Sequence, residues 1–369
     1  LFDMVLATND NVNNIGKNKL NSIMEKVDKE FIYVGDSKKD LPIWRYCKKA
    51  ILIGNNISIQ KKLKSSSVEI IDIIEDEKSI IKILFRQLRI YQWSKNILLF
   101  VPAVASHQLF TAGVFMNALQ GFIAFSLLAS SIYVLNDIVD IENDRYHPKK
   151  KNRPIASGDL SIFNAYGLLS VCFIGGSFLA FNLGQLFLMV SGIYISLNLL
   201  YSFLLKRILI LDVILLMSFY TLRLIAGHIP DAIPLSTWLI AFSIFLFFSL
   251  GLLKRYVDTI IMLENKVSFL RGRGYSIDDG HILMSLGISS GLISALVLIL
   301  YTGSDQVQEF YSKPFILIAL APVILYWISR MWLMAERGKI KSDPVLFSVK
   351  DLITYLTVII ASTILLIAS

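Results

Sequence analysis

Between Asn136 and Arg153 the chain sets acids first and bases directly after. Asn136-Asp137-Ile138-Val139-Asp140-Ile141-Glu142-Asn143-Asp144 is followed by Arg145-Tyr146-His147-Pro148, then by Lys149-Lys150-Lys151-Asn152-Arg153. On a continuing helix Asp137, Asp140 and Asp144 stand at i, i+3 and i+7, and at 100° per residue the first and last point within about 20° of each other. Three carboxylates on one face, spread over roughly 10 Å, can hold one or two Mg²⁺ or Mn²⁺ ions that bridge the oxygens of a diphosphate. A solvated acidic helix end beside a basic loop would use the same residue types without needing three aspartates in phase.

The element that must position this face is the run of about twenty apolar residues from Phe115 to Leu135. An aspartate at the centre of a membrane helix costs roughly 2.5 to 3.5 kcal/mol, so three of them cannot face lipid. They must line a wet, protein-walled cavity or lie at the interface. Composition agrees: 369 residues, 55% hydrophobic and 17% charged, with a mean hydropathy of +0.61, exclude an ordinary soluble domain and read as an all-α polytopic membrane protein. The net charge of +8 therefore speaks to loop orientation and not to nucleic acid. Cys47 and Cys172 lie too far apart in sequence, and in too different surroundings, to suggest a disulfide or zinc framework.

Nine apolar runs are expected to span the membrane around a cytoplasm-facing cavity, at about residues 95–111, 116–136, 161–180, 184–203, 209–227, 235–252, 281–301, 313–334 and 350–368. Basic residues crowd alternate connections: Lys82, Arg86 and Arg89; Arg145, Lys149, Lys150, Lys151 and Arg153; Lys206 and Arg207; Lys254, Arg255, Lys266, Arg271 and Arg273; Arg337, Lys339 and Lys341. The opposite loops hold little beyond Lys313, so the positive-inside rule puts the N-terminus in the cytoplasm, the C-terminus outside, and the acidic stretch on the cytoplasmic face of the inner membrane.

Residues 1–80 are more polar, show no signal-peptide pattern, and read as a small partial α/β cytosolic segment ahead of a transmembrane domain at 81–369. Phe31-Ile32-Tyr33-Val34-Gly35-Asp36 ends in a turn with Asp40 four residues on, and Ala50-Ile51-Leu52-Ile53-Gly54 reads as the next strand. This resembles the C-terminal part of a haloacid-dehalogenase-like phosphatase domain. The resemblance matches Asp36 and Asp40 to Mg²⁺ carboxylates, and Thr8 with Lys19 or Lys17 to phosphate-binding residues. The nucleophilic Asp-x-Asp-x-Thr is missing upstream, where Asp3 stands alone, so the resemblance implies a catalytically incomplete segment.

Further constellations lie on the same face. Arg89-Ile90-Tyr91-Gln92-Trp93-Ser94-Lys95-Asn96 is either an interfacial anchor or a lysine reaching toward diphosphate. Tyr201 to Lys206 and Arg207, followed by Asp212, and Lys254-Arg255-Tyr256-Val257-Asp258 are either solvated helix ends or cationic ligands. Arg223, near the outer end of its span, reads as snorkelling or as a structural pair.

Asn136-Asp137-x-x-Asp140-x-x-x-Asp144, nine spans and charged motifs on one face together resemble the UbiA superfamily of intramembrane prenyltransferases, from about residue 82 onward. Aromatic prenyltransferases of that superfamily carry a second acidic motif where this chain has Lys254 and Arg255. Together with Gln92 to Asn96, His147-Pro148, Lys151 to Gly158, Leu222 to Gly227 and Asp343 to Phe347, this difference resembles the decaprenyl-phosphate phosphoribosyltransferase branch. That branch implies phosphoribosyl diphosphate as donor and a polyprenyl phosphate as acceptor. The roles implied are metal binding by Asp137, Asp140 and Asp144, catalysis by Asp137, Asp140, Lys206 and Arg255, and substrate binding by Lys95, Asn136, Arg153, Tyr201, Lys254, Tyr256 and Asp258. The chemistry fits: an anionic acceptor needs no general base, but two mutually repelling anions need extra cations. An aromatic prenyltransferase and a transporter of phosphorylated metabolites are the other readings, and association with a second copy of the chain is left open.

Overall fold

The computed structural model describes residues 8, 13–27, 31–54, 57–64, 66, 68–74, 79–147, 150–264, 274–341 and 343–369. Asp3, Pro148, Lys149, Lys266, Arg271 and Arg273, invoked above, lie outside the described residues. Contacts divide the chain into two units, residues 1–82 and 83–369.

In the first unit, β1 (Ile32–Gly35), β2 (Lys49–Ile53) and β3 (Glu69–Ile74) form a parallel sheet in the order β1-β2-β3. Parallel neighbours need a crossover, supplied here by the short helix Leu41–Trp44 and by the helix Ile57–Lys64. Trp44, Cys47, Ala50, Leu52, Ile59 and Leu63 make the core. Asp40 serves this local structure. It accepts hydrogen bonds from Tyr33 Oη at 2.9 Å and from the Ser37 amide at 3.2 Å, closing a capping box, while Asp36 is exposed.

The second unit is almost entirely helical. We label its longer elements α1 (Val114–Val139), α2 (Ile141–Tyr146), α3 (Ile162–Asn182), α4 (Gln185–Phe203), α5 (Leu211–His228), α6 (Thr237–Glu264), α7 (Gly280–Thr302), α8 (Leu320–Glu336), α9 (Pro344–Ser348) and α10 (Leu352–Ala368). Among the described residues, seven helical segments, those containing α1 and α3 to α8, are long and apolar enough to cross a membrane. Phe163, Val171, Ile174, Phe178 and Phe181 of α3 are exposed on the molecular surface, as side chains meant for lipid would be. Two of the nine expected spans differ: α10 is an apolar helix of 17 residues, and the run expected at 95–111 is not an α-helix over most of its length.

That run is a 3-10 helix, Ile90–Phe100, continued by a short α-helix, Val101–Ala105. Its side chains explain the tighter winding. In a 3-10 helix residues three apart eclipse, and three residues rise about 6 Å, the same distance as four residues of α-helix. The row Trp93, Asn96, Leu99 therefore runs in register along α1. Trp93 Nε1 donates to Ser130 Oγ at 3.0 Å and Asn96 Nδ2 donates to Ser126 Oγ at 2.9 Å. Leu99 packs against Gly121. On its other side the 3-10 helix meets α5 at Gly227, where a Cβ would stand 2.3 Å from the Leu99 carbonyl oxygen; only glycine permits that approach.

The bundle core has two centres. Phe125, Phe187, Tyr194 and Phe219 fill one between α1, α4 and α5. Tyr220, Phe247, Leu252, Tyr256 and Trp332 fill the other between α5, α6 and α8. Single-cysteine labels test the orientation read from the basic loops, in a background without Cys47 and Cys172. Impermeant maleimide should reach Ser157→Cys and Lys339→Cys only from the cytoplasmic side and Ser304→Cys only from the opposite side. The reverse pattern would overturn the assignment.

Candidate functional site

The acidic stretch forms the end of α1 and the whole of α2. Asp140 interrupts the helix (φ −90°, ψ 10°), yet its amide still donates to Asn136 and the Asp144 amide to Asp140, at 2.9 and 2.8 Å. The helical path is thereby kept, and Asp137 and Asp144 share one face. A single nitrogen, Arg153 Nη1, donates to Asp137 Oδ1 at 2.8 Å and to Asp144 Oδ2 at 2.6 Å. Both carboxylates are buried, at 3% and 1% exposure. Buried charges of one sign must be compensated, and three further groups help. Arg89 Nη2 donates to Asp137 at 2.6 Å, Gln87 Nε2 to its other oxygen at 3.1 Å, and Lys150 Nζ lies 3.7 Å from Asp144 Oδ1.

Local sequence explains how the two arginines arrive there. Arg153 caps the short helix Pro154–Ser157; Pro154 starts it without a needed N–H, and Gly158 ends it in the left-handed region (φ 84°). Arg89 itself is left-handed (φ 51°, ψ 48°), a conformation that costs a non-glycine residue about 1 kcal/mol or more and that caps the 3-10 helix. Its guanidinium lies over the Tyr133 ring, 4.9 Å from the centroid. Beside the pair opens a cleft of about 460 Å³, lined by Arg86, Arg89, Asp137, Asn152 and Arg153, with Phe85 and Tyr91 at its edge. A largely apolar cavity lies elsewhere, around His228, Trp238 and Tyr301.

Asp140 is half-buried and forms no side-chain hydrogen bond or ion pair among the described residues. Two buried oxygens of the Asp137–Asp144 group, Gln87 Oε1 and Asp144 Oδ1, accept no hydrogen bond among the described residues. These hard oxygen donors fit a small divalent cation such as Mg²⁺. No three acidic, His or Cys side chains among the described residues stand in metal-binding range as they are, because Arg153 lies between the two outer carboxylates.

A second charged group lies where α6 meets the 3-10 helix. Lys95 and Lys254 both donate to Asp343 Oδ2, at 2.9 and 3.1 Å, and Asp343 Oδ1 accepts from the amides of Val345 and Leu346, capping α9. Burial would raise the Asp343 carboxyl, but Lys254 and Lys95 outweigh that and hold it well below the usual carboxylate range.

The third group centres on Arg255, which is fully buried. Its guanidinium donates to Asp212 Oδ2 at 2.6 Å, to Asp258 Oδ2 at 2.8 Å and to Tyr201 Oη at 3.3 Å. Tyr275 Oη donates to Asp212 Oδ1 at 2.6 Å and accepts from the Ile210 amide, so the same carboxylate holds two connections together.

Of the residues singled out in the sequence, Asp137, Asp144 and Arg153 meet directly, and Lys95 and Lys254 meet through Asp343. Arg255, Tyr201 and Asp258 form their own network and leave the Arg255 cation no open side; the ammonium next to it on α6, Lys254, is the one partly exposed. Tyr256 is turned away: its hydroxyl donates to Glu336 of α8, and its ring lies against Trp332. Asn136 Nδ2 donates to Ser202 Oγ at 3.1 Å. Lys206 is half-buried and makes no ion pair among the described residues. Sequence reasoning gave no role in the site itself to Gln87, Arg89, Asp212, Tyr275 or Asp343. A lone aspartate inside an apolar run was a signal for Asp212, and Asp343-Pro344, a cap followed by a first-turn proline, concealed a charged ligand behind a local one.

Residues 97–259 match the UbiA prenyltransferase family. The protein y4nM of Sinorhizobium fredii is 32% identical over 351 residues, which is 95% of this chain and 68% of that protein. Decaprenyl-phosphate phosphoribosyltransferase of Corynebacterium glutamicum is 36% identical over 185 residues, 48% of this chain and 55% of the enzyme, so the match spans about half of each. Among solved structures, a UbiA homologue from Archaeoglobus fulgidus bound to GPP and Mg²⁺ superposes with a TM-score of 0.57 at 13% identity, covering 77% of this chain and 99% of that one, a likeness of fold.

The enclosure of Arg255 has a measurable consequence. Arg255→Gln leaves Asp212 and Asp258 without their cation and should destabilise the protein by roughly 3 to 5 kcal/mol, read as a lowered thermal midpoint in detergent. A variant with the parent's midpoint and a raised KM for one anionic substrate alone would instead make Arg255 a substrate ligand.

Proposed function

Since the chain belongs to the UbiA prenyltransferase family and is an integral membrane protein, we propose that it moves a 5-phosphoribosyl group from phosphoribosyl diphosphate to a polyprenyl phosphate and releases diphosphate. The observation that carries this reading is the pairing of an acidic face with a separate cationic group, Lys95 and Lys254 sharing the single carboxylate of Asp343. A transferase with a prenyl diphosphate donor and a neutral aromatic acceptor has no use for that excess of positive charge; one with two anionic substrates does. The partial relationship to enzymes called decaprenyl-phosphate phosphoribosyltransferases supports it.

In this reading Asp137, Asp140 and Asp144, with Gln87 Oε1, would hold the metal, Arg89 and Arg153 of the cleft would take the donor's diphosphate, and Lys206 would add positive charge. A bound Mg²⁺ or Mn²⁺ would neutralise charge on the departing diphosphate. An acceptor phosphate oxygen attacks C1 of the ribose; the C1–O bond to diphosphate breaks, and the electron pair leaves with diphosphate. No proton moves, because the nucleophile is already an anion. Lys254 and Lys95 hold that nucleophile against the repulsion of the donor, and proximity supplies much of the rate. Arg255 acts through position: it fixes the end of α6 that carries Lys254. The 3-10 helix and α10 complete nine spans, with the charged groups opening to the cytoplasm.

Purified protein in detergent should release diphosphate from phosphoribosyl diphosphate only with a polyprenyl phosphate and Mg²⁺ or Mn²⁺ present. Asp140→Asn breaks no ion pair among the described residues, so it should keep the parent's thermal midpoint while losing about a hundred-fold or more in turnover. Consumption of prenyl diphosphate with an aromatic acceptor, and none of phosphoribosyl diphosphate, would establish the other donor class. Uptake into vesicles without chemical change would make the protein a transporter.

A further inference from the structure

Tyr220 of α5 sits among cations that the residues around it do not neutralise. Its ring stacks on Phe247 with centroids 4.6 Å apart, and Lys95 Nζ and Arg223 Cζ each lie 5.8 Å from its centroid. Arg223 is 4% exposed and donates to neutral acceptors: Asn96 Oδ1 at 2.6 Å, Tyr194 Oη at 2.9 Å and the Phe219 carbonyl. It has no carboxylate among the described residues. Lys254 closes the group from α6 through the carboxylate it shares with Lys95. Three cations thus stand with one anion where Arg223 is buried, Lys95 nearly so and Lys254 partly exposed, a setting in which unbalanced charge is costly.

The one anion is placed as a ligand would be. Asp343 uses one oxygen to cap α9 and offers the other to both ammoniums, which stand no more than about 6 Å apart and repel each other. A phosphate oxygen can make the same two contacts, and a phosphate brings further oxygens and charge to answer what one carboxylate leaves unbalanced.

We propose that Lys95, Lys254 and Arg223 form a buried binding site for a phosphate monoester, and that Asp343, on the connection between α8 and α10, fills this site until a phosphate displaces its carboxylate. The site deepens the transferase reading, since it gives the acceptor's headgroup a place, but phosphate binding can be measured without any turnover. Charge and geometry alone do not separate a lipid headgroup from a sugar phosphate, so both serve as probes.

Calorimetry on the full chain in detergent provides the test, first with inorganic phosphate. Asp343→Asn keeps an equally good helix cap while removing the competing charge, and should bind phosphate about ten-fold more tightly than the parent. Lys254→Gln and Lys95→Gln should each bind it about ten-fold more weakly. Unchanged or weaker binding by Asp343→Asn overturns the displacement. Unchanged binding by both lysine variants overturns the site, and this arm stands even if the Asp343 variant does not fold. In competition, displacement of phosphate by a polyprenyl monophosphate makes it the acceptor's site and displacement by ribose 5-phosphate the donor's; displacement by neither overturns the proposal. Phosphate binding that behaves as expected in a protein that turns over no phosphoribosyl diphosphate would sink the transferase reading and leave the site standing.

Discussion

The contact on which the charged end of the bundle depends is the one nitrogen of Arg153 set between Asp137 and Asp144. Two carboxylates at 3% and 1% exposure, on the same face at the end of an apolar helix, repel each other and have lost most of their water. They can be kept only by cations that arrive from elsewhere in the chain. The basic connection after α2 folds back to supply Arg153, and the strained turn at Arg89 supplies the other. Removing Asp137 would strand Arg89, and removing Arg153 would leave both acids facing each other. The acidic face and the basic loop are thus one structural unit before they are a site.

The same constraint orders the neighbouring groups. Arg255 is enclosed between Asp212 and Asp258, and Arg330 makes a two-pronged pair with Asp351. Around Tyr220 the described residues leave an excess of positive charge, with Lys95, Lys254 and Arg223 against Asp343. In a folded protein, uncompensated buried charge is the feature least expected from stability alone and most expected from a ligand. What lets these groups assemble is the fit of a 3-10 helix against α1: winding three residues to every four brings Trp93 and Asn96 into register with Ser130 and Ser126, Leu99 reaches Gly121 a further turn along, and Lys95 is carried beside Asn96.

Hydropathy made the apolar helices legible in the sequence, and the seven long ones lie close to the runs read there. It could not reveal that the run from residue 95 begins as a 3-10 helix, because side-chain register against a partner and not composition decides that winding. The helical period brought Asp137 and Asp144 to one face, since the hydrogen bonds through Asp140 preserve the turn. Counting carboxylates on that face left out the arginine between them, which comes from a separate connection. The basic residues after α4 and within α6 were legible as clusters, but not how their charges divide. Arg255 is spent on Asp212, a partner 43 residues away, while Lys254 shares one 89 residues away. Long-range pairing of this kind leaves no periodic trace in a single sequence.

Binding of Mn²⁺ to the purified protein, followed by electron paramagnetic resonance, tests the central proposal most directly, that the face occupied by Arg153 is a metal site for which the arginine and the ion compete. Arg153→Gln removes the one cation that Asp137 and Asp144 share, so Mn²⁺ should bind about ten-fold more tightly than to the parent, and Asp144→Asn should bind it more weakly. Equal Mn²⁺ affinity in all three proteins would contradict the account, because the paired carboxylates would then hold the fold together without holding a metal.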